Sequence, residues 1–517
     1  VARIAEQYDK QAPSSRSDGK SGPAGHAANA VAASGAVLEA CLLPRGLEPE
    51  QWTERKLEGP AGTLVLKLPV LSPELLGQIA REVAARREAY LAGLRTERIV
   101  ELLDRAVARW LDPAYELRLL AETWLPVMTG YDGEMIRLEL KRFFRTFRRK
   151  ELLRFLDEEF DAAGVLDEFR PRKHGGMSRA YGPELIFHVF SGNVPGLPVW
   201  SLIMGLLLKS AAIGKTSSAE PLMAVLFART LAEIDEELAD CLAILPWKGG
   251  SEELEQPLLE AADAVVVYGS QRTVEQLRSR TPAGRTFLSY GHKISFAMIG
   301  REALSADRFR ETARKLAEDA SVYDQQGCLA PHGVFVEEGG AVSARQFAQL
   351  VAAEMEHYQQ KKPRAVLTEA EATAIRLVRQ RMELRGLQGE PISVYASAGG
   401  TEWTVIYHGA AGFEASPLNR TLHVFACEEL SQAVRLLRPY RDYLQTAGLA
   451  VGPDRLERTA AMLGSCGVTR LCAIGQMART PAGWHHDGRM NLLDLVRWVD
   501  LERSAELEAE RYDPDFE

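Results

Sequence analysis

Leu185-Ile186-Phe187-His188-Val189-Phe190, followed by Ser191-Gly192-Asn193-Val194-Pro195-Gly196, decides the fold. Six residues dominated by strand formers read as a β-strand, and the Ser/Gly/Asn/Pro cluster stops it. The apolar run 196–208 then reads as a buried helix; it is too short to span a bilayer and ends at Lys209. The alternation continues downstream. Ala211-Ala212-Ile213-Gly214-Lys215-Thr216 reads as a second strand and residues 221–238 as a helix. Leu242-Ala243-Ile244-Leu245 is a third strand, and residues 252–262 form a helix. Ala264-Val265-Val266-Val267-Tyr268 is a fourth strand, stopped by Gly269-Ser270 before a helix at 273–278. Short apolar strands alternating with helices predict an α/β fold built on a doubly wound, Rossmann-type parallel sheet. Nucleotides bind at the carboxyl ends of such strands.

Upstream, residues 1–33 carry Ala, Gly, Ser and charge with few large apolar groups, and are expected to be disordered. A short strand at 62–68 precedes a helical region over 73–169, where Ile99, Leu102, Leu103, Ala106 and Trp110 recur at helical spacing. Downstream, Ile294-Ser295-Phe296-Ala297-Met298-Ile299 opens a second α/β region. It contains a helix at 306–320 with Ser305 as N-cap, burying Phe309, Ala313, Leu316, Ala317 and Ala320, and a helix at 343–358. Trp484-His485-His486-Asp487-Gly488-Arg489 reads as a polar loop leading into a helix that runs to Trp498. The expected division is a disordered segment (1–33), a helical N-terminal region with a cofactor domain (34–293), a cysteine-bearing catalytic domain (294–473) and a C-terminal segment (474–517).

A chain of 517 residues implies two or three domains. With 46% hydrophobic and 26% charged residues it has the composition of a soluble globular protein, and a net charge of −9 argues against general nucleic-acid binding. The basic run 141–150 reads as a solvated helix face or an anion or partner site. Six scattered cysteines, without a Cys-x-x-Cys pair or zinc spacing and without a recognisable leader, predict a reducing cytoplasm and no metal.

The chemistry centres on Ser321-Val322-Tyr323-Asp324-Gln325-Gln326-Gly327-Cys328-Leu329-Ala330-Pro331. Cys328 stands between a glycine and an approaching proline, which places it on a loop where backbone amides and substrate can reach a thiolate; a small buried hydrophobe is the bland alternative. Lys215, with Thr216, Ser217 and Ser218, closes a strand and can meet a ribose or phosphate, or simply be a surface lysine. Gly269 and Ser270 open a helix whose free amides can face a pyrophosphate. Asn193, fixed in its turn, can donate to a developing oxyanion or serve as an ordinary turn residue. His292 fits an acid, a base, a phosphate contact or a satisfied polar residue. Pro331 separates Cys328 from His332, so a Cys/His metal pair is not expected; His485, His486 and Asp487 read as a structural or substrate-rim loop.

Together, Gly192-Asn193-Val194-Pro195-Gly196, Ile213-Gly214-Lys215-Thr216-Ser217-Ser218, Tyr290-Gly291-His292-Lys293 and Tyr323-Asp324-Gln325-Gln326-Gly327-Cys328 resemble the aldehyde dehydrogenase superfamily. They resemble more closely its long-chain acyl-CoA reductases of bacterial luminescence, the reductase component of the fatty-acid reductase complex. The resemblance runs from about residue 73 to the carboxyl end. It implies an aldehyde-dehydrogenase-like fold, with Cys328 as nucleophile and Asn193 and the Cys328 amide as oxyanion hole. Lys215 would lie on the adenosine ribose, and Gly269 and Ser270 by the pyrophosphate. It implies a long-chain acyl-CoA or acyl-protein substrate, acyl-protein synthetase and thioesterase partners, and a homo-oligomer. Oxidising members carry Glu-Leu-Gly-Gly-Lys, where this chain has Ser289-Tyr290-Gly291-His292-Lys293. Without that base, water attack on an acyl-enzyme should be slow. NAD-specific members often place a glutamate three residues after the lysine; Ser218 stands there, which favours NADPH, although Glu220 is close by. The later Glu-x-Phe contact to the nicotinamide ribose has no match at Ala415-Ser416-Pro417. The expected reaction is NADPH-dependent reduction of an acyl-Cys328 thioester to a fatty aldehyde. The alternatives are an NAD-dependent aldehyde dehydrogenase, a cysteine acyltransferase that uses no nicotinamide, and a non-catalytic scaffold.

Overall fold

The computed structural model describes residues 36–512; the expectation of disorder over 1–33 falls outside them. Strands β1 (Ala36–Glu39), β2 (Trp52–Gly59) and β3 (Gly62–Pro69) form a small sheet in the order β1-β3-β2. A backbone bridge from Leu42 to Ile244 ties the chain beyond β1 to the main sheet. Five helices follow between Pro73 and Phe160. The first is capped by Ser72, whose Oγ accepts the Leu75 amide at 3.2 Å. Helix Thr96–Leu111 buries Ile99, Leu102, Leu103, Ala106 and Trp110, the face its periodicity predicts. The N-terminal part is therefore only partly helical, since a sheet precedes the helices.

After the short strands β4 (Arg170–Pro171) and β5 (Met177–Tyr181) come β6 (Leu185–Val189), β7 (Ala211–Thr216), β8 (Leu242–Pro246), β9 (Ala264–Tyr268) and β10 (Thr286–Tyr290). These last five form one parallel sheet in the order β10-β9-β6-β7-β8. β6, β7 and β9 are buried along their whole length, which is why they read as continuous apolar runs. The chain reverses its direction of strand addition between β6 and β9. The loops after these two strands, carrying Asn193 and Gly269-Ser270, therefore flank the switch-point crevice. Helix Leu197–Leu207 is buried, as expected. A Cβ at Gly196, its N-cap, would lie 2.8 Å from the Phe143 ring, so only glycine lets the turn pack there.

Strands β11 (Ile294–Ile299), β12 (Pro331–Glu337), β13 (Ile392–Ala396), β14 (Thr404–His408), β15 (Thr421–Cys427), β16 (Leu444–Ala450) and β17 (Arg470–Ala473) build the second large sheet. Its order is β13-β14-β15-β12-β11-β16-β17, parallel except for the β13–β14 pair. β18 (Arg497–Leu501) returns to pair antiparallel with β5 in a sheet ordered β18-β5-β4. The C-terminal segment is thus laced back into the first half of the chain.

The structure corrects several local expectations. The helix over 221–238 breaks into Met223–Ala232 and Glu236–Ala239, because Asp235 caps the second by accepting the Leu238 amide at 2.9 Å. Ser305 is not an N-cap: its Oγ donates to Asp307, the helix starts at Phe309, and Phe309 is half-buried. The run up to Trp498 is a 3₁₀ turn, Leu493–Leu495, followed by β18, not a helix. β10 has no counterpart in the sequence reading.

Candidate active site

Cys328 lies on the loop between the short turn Val322–Gln325 and β12. The residue is exposed, while protein surrounds the thiol itself. Burial, reinforced by the Asp487 carboxylate, pushes its pKa up to about 12; a hydrogen bond from Gln445 and the charge of Lys293 pull the other way. At neutral pH the resting group is a thiol, not the thiolate that the chemistry requires.

The loop is held in a costly shape. Tyr323, Asp324 and Gln325 have φ of 50°, 50° and 67°, a left-handed run without glycine. A second such run, Leu418, Asn419 and Arg420 at 61°, 55° and 61°, lies against it. Side chains clamp the two. Arg420 Nε donates to Asp324 Oδ1 at 2.8 Å, and both side chains are almost fully buried. Gln326 Nε2 donates to Asn419 Oδ1 at 2.9 Å, and Gln325 Oε1 accepts the Thr421 amide at 2.8 Å. Beyond the loop, Ser295 Oγ donates to the Cys328 carbonyl at 2.7 Å. Asn193 Nδ2 donates to the Gln326 carbonyl at 2.8 Å, while the Asn193 carbonyl accepts from Tyr131 Oη at 2.9 Å. The switch-point turn and the cysteine loop are thereby joined.

Tyr268 is the last residue of β9 and immediately precedes Gly269-Ser270. Ser270 caps helix Gln271–Arg280, its Oγ accepting the Thr273 amide at 3.2 Å. A stack of rings closes one wall: Tyr268 on Tyr290 at 4.7 Å, Tyr290 on His486 at 4.1 Å, and His486 beside Trp484 at 4.6 Å. His486 is buried in this stack, and burial lowers its pKa to about 4. His292 stands close enough to His332 to depress that group's protonation; burial lowers both.

At the end of β7, Lys215 is buried, and burial lowers its pKa, with Glu255 partly opposing. Its Nζ is 3.7 Å from where a Cβ on Gly249 would be. A Cβ on Gly192 would fall 2.7 Å from Ser217 Oγ, so this corner admits no added side chain. Glu220 is buried. Its carboxylate turns inward and accepts the Leu222 and Met223 amides at 2.7 and 2.8 Å. Next to it, Ser218, Arg55, Lys248, Trp247 and Pro246 line a cavity of about 330 Å³. Arg55 Nη1 donates to the Ser218 carbonyl at 2.7 Å. Among the described residues no carboxylate pairs with Arg55, Lys215 or Lys248, although ion pairs are common elsewhere in this chain. Cations without a carboxylate partner, tight glycines and a capped helix fit a dinucleotide.

Sequence reasoning placed Cys328, Asn193, Lys215, Ser217, Ser218, Gly269, Ser270 and His292. The structure brings Asn193 onto the Cys328 loop and groups Lys215, Ser217 and Ser218 at the end of β7. It adds Gln445, Asp487 and Lys293 around the sulfur, and Arg55 and Lys248 at the cavity rim. No local signal marks Gln445 or Arg55; Asp487 stood in a polar loop without an assigned partner. Among the described residues no group of three His, Cys, Asp or Glu side chains could hold a metal ion, and no helix is long and apolar enough to cross a membrane.

Solved structures similar to this one include an aldehyde dehydrogenase from Brucella melitensis biovar abortus 2308, at TM-score 0.68 and 14% identity over 89% of this chain and 97% of that one. They also include an NADP-dependent glyceraldehyde-3-phosphate dehydrogenase from Bacillus halodurans C-125, complexed with NADP, at TM-score 0.66 and 14% identity over 87% and 96%. The fold is that of the aldehyde dehydrogenases. Curated relatives include long-chain acyl-protein thioester reductases from Photobacterium phosphoreum, 24% identical over 81% of this chain and 83% of the relative, and Vibrio harveyi, 24% identical over 80% and 84%. The family model described as acyl-CoA reductase (LuxC) matches residues 91–498, and the chain belongs to that family.

Proposed function

We propose that this protein reduces a long-chain fatty acyl thioester to the fatty aldehyde, with NADPH as reductant, through an acyl group carried on Cys328. The observation that carries the reading is the position of Cys328: an exposed cysteine on a loop that Asn193, in the switch-point turn after β6, holds through the Gln326 carbonyl. Relatives named as long-chain acyl-protein thioester reductases support the substrate class.

In this reading the Cys328 sulfur attacks the acyl carbonyl, and the donor thiol leaves. The Cys328 amide and Asn193 Nδ2 are the donors nearest the developing oxyanion. One Asn193 amide hydrogen is committed to Gln326, which fixes the side chain, and the other is available. Lys215 and Ser217 would hold the adenosine ribose, and Gly269 and Ser270 the pyrophosphate. Arg55 and Lys248 flank the place a 2′-phosphate would take, and the inward turn of Glu220 removes the nearby carboxylate that would repel it. Bound NADPH supplies the hydride. Ser289 alternates with Tyr290 on β10 and faces away from the ring stack. No side chain there serves as the base that would turn the thioester over to water. His292, whose charge depresses the protonation of His332, is kept among the catalytic candidates as an acid or base. An acyl-protein synthetase is the partner class that would supply acyl groups, with a thioesterase upstream, and the chain is proposed to form a homo-oligomer in the cytoplasm.

The test is to mix the protein with NADPH and tetradecanoyl-CoA and follow loss of reduced nicotinamide. The expected result is turnover that Cys328→Ala abolishes and NADH supports poorly. Absence of turnover with acyl chains of every length, or equal turnover in Cys328→Ala, overturns the reading.

A further inference from the structure

Strand β11 carries a single hydroxyl in an otherwise apolar, fully buried run, Ile294-Ser295-Phe296-Ala297-Met298-Ile299. A polar group in such a place needs partners. Ser295 is 0% exposed and has two: its Oγ donates to the Cys328 carbonyl at 2.7 Å and accepts the Thr446 amide at 3.3 Å. A hydroxyl has one proton, and here that proton is committed to Cys328. The sheet is irregular on both sides of this residue. Against β12, Ser295 pairs with Pro331 and Phe296 with Gly333, which leaves His332 as an extra residue. Against β16, Ile294 pairs with Leu444 and Phe296 with Ala447, which leaves both Gln445 and Thr446 opposite Ser295. Bulges re-aim side chains and gather beside active sites. These two flank the one hydroxyl of the strand, and that hydroxyl reaches the peptide of the proposed nucleophile.

The turn around Cys328 shows what this contact holds. The Gln326 carbonyl accepts Asn193 Nδ2 at 2.8 Å, the Gly327 carbonyl accepts the Ala330 amide at 3.0 Å, and the Cys328 carbonyl accepts the Ser295 hydroxyl. Three successive peptide planes are thus fixed through their oxygens. Among the described residues the amides of Gly327, Cys328 and Leu329 donate to no other residue. We propose that Ser295 is a positioning residue for the thioester chemistry: its hydroxyl keeps the Cys328 amide aimed at the oxyanion that forms when the sulfur attacks. The inference rests on the reading of Cys328 as nucleophile. The peptide bond is planar, so holding the planes on both sides of the Cys328 α-carbon sets its φ and ψ. Those two angles fix where the amide lies relative to the sulfur. An oxyanion donor is effective only when it is already in place as charge develops. Ser295 acts through the backbone and moves no proton. Asn193 steadies the turn from the five-stranded sheet and Ser295 steadies it from the seven-stranded one, so both halves of the molecule set the same short segment.

The experiment compares wild type with Ser295→Ala and with Ser295→Cys, which keeps the shape of serine but is a weak donor. Two reactions of the Cys328 sulfur are timed, each located by peptide mapping. One is acylation by tetradecanoyl-CoA over a range of concentrations, read by quenched-flow mass measurement. The other is alkylation by iodoacetamide, a displacement in which no oxyanion forms. Binding of 2′,5′-ADP verifies folding, and Ser295→Cys is judged by the same criterion if Ser295→Ala does not fold. The expected result is a maximal acylation rate slowed more than about tenfold, toward the ~10²-fold loss of a group misplaced by about 1 Å. The half-saturating concentration of tetradecanoyl-CoA and the alkylation rate should both stay near wild type. Acylation within about tenfold of wild type overturns the proposal, as does a parallel fall in alkylation, which would mean a displaced thiol. Loss of 2′,5′-ADP binding in both variants would assign Ser295 to folding and overturn it as well. Wild type that forms no adduct removes the reading of Cys328 itself, and the proposal with it.

Discussion

The Asp324–Arg420 pair gives the sharpest structural prediction. Arg420 spends its guanidinium on Asp324, on Gln359 Oε1 at 2.8 Å and on the Lys362 carbonyl at 2.9 Å, and its side chain is 0% exposed. Asp324 Oδ2 in turn accepts the Ala365 amide at 3.0 Å. Replacing Arg420 with Met keeps most of the volume but strands a buried carboxylate, a loss on the order of 3–5 kcal/mol. The clamp acts against three consecutive left-handed residues, whose strain at about 1 kcal/mol each comes to roughly 3 kcal/mol. Without it, that strain favours release of the loop. The change should therefore be local. Hydrogen exchange is the direct assay, because it reports opening segment by segment. Amide protection across residues 321–331 should fall by about 10²–10⁴-fold in Arg420→Met, the factor that 3–5 kcal/mol implies. Protection in β6, β7 and β9 should stay at wild-type level. Asp324→Asn combined with Arg420→Met should recover part of the loss, since no charge is then stranded. Unchanged protection over 321–331, or an equal fall throughout the protein, would refute the reasoning.

Three further outcomes follow from other sites. Arg55→Ala and Lys248→Ala should each weaken 2′,5′-ADP binding by about 10–100-fold, the 1.5–3 kcal/mol of a charge-assisted contact. Binding of 5′-AMP should not change, and isothermal titration separates the two. Glu220 has its pKa raised to about 7 from the ordinary 4.5 by burial, with the Leu222 and Met223 amides only partly opposing. Folding therefore disfavours its ionisation, and its contribution is greatest below pH 4.5 and declines as pH rises to 7. Glu220→Gln should match wild type in melting midpoint at pH 4.5 and exceed it at pH 8; equal midpoints at pH 8 would count against this. Glu337 is the opposite case. Burial would raise its pKa, but hydrogen bonds from Arg455 and Arg301 outweigh it and hold the value at about 2, against an ordinary 4.5. Its stabilisation is complete above pH 4.5 and is lost as pH falls toward 2. The wild-type midpoint should drop through that window, while Glu337→Gln starts lower at pH 7 and drops less; parallel curves would contradict the assignment.

The cofactor half of the molecule was legible because buried parallel strands leave a plain mark. β6, β7, β8 and β9 are runs of apolar residues cut off by Gly, Pro or Ser, and they stand where the pattern put them. β10 escaped because Thr286-Phe287-Leu288-Ser289-Tyr290 is an edge strand with a half-exposed face, and such a run lacks continuous hydrophobicity. β18 escaped for a related reason. Arg497-Trp498-Val499-Asp500-Leu501 is largely exposed and earns its place by pairing with β5, a contact that no local pattern encodes. At the site, Gly327-Cys328 and Pro331 announced a loop. Nothing in Tyr323-Asp324-Gln325 announced a left-handed backbone, since none is a glycine and the stabilising arginine lies far along the chain. The sulfur's neighbours Gln445 and Asp487 come from the end of the second sheet and from the loop beyond it. Only the tertiary fold sets them near the Cys328 loop, so a linear reading could single out the cysteine but not its surroundings.

The most direct measurement is intact mass of the purified protein after brief exposure to tetradecanoyl-CoA, before and after NADPH is added. The account predicts one tetradecanoyl adduct per chain, located at Cys328 by peptide mapping, that is stable in buffer and disappears on addition of NADPH with matching release of tetradecanal. An adduct on another residue, an adduct that water clears to tetradecanoic acid as fast as NADPH removes it, or no adduct at all would contradict it.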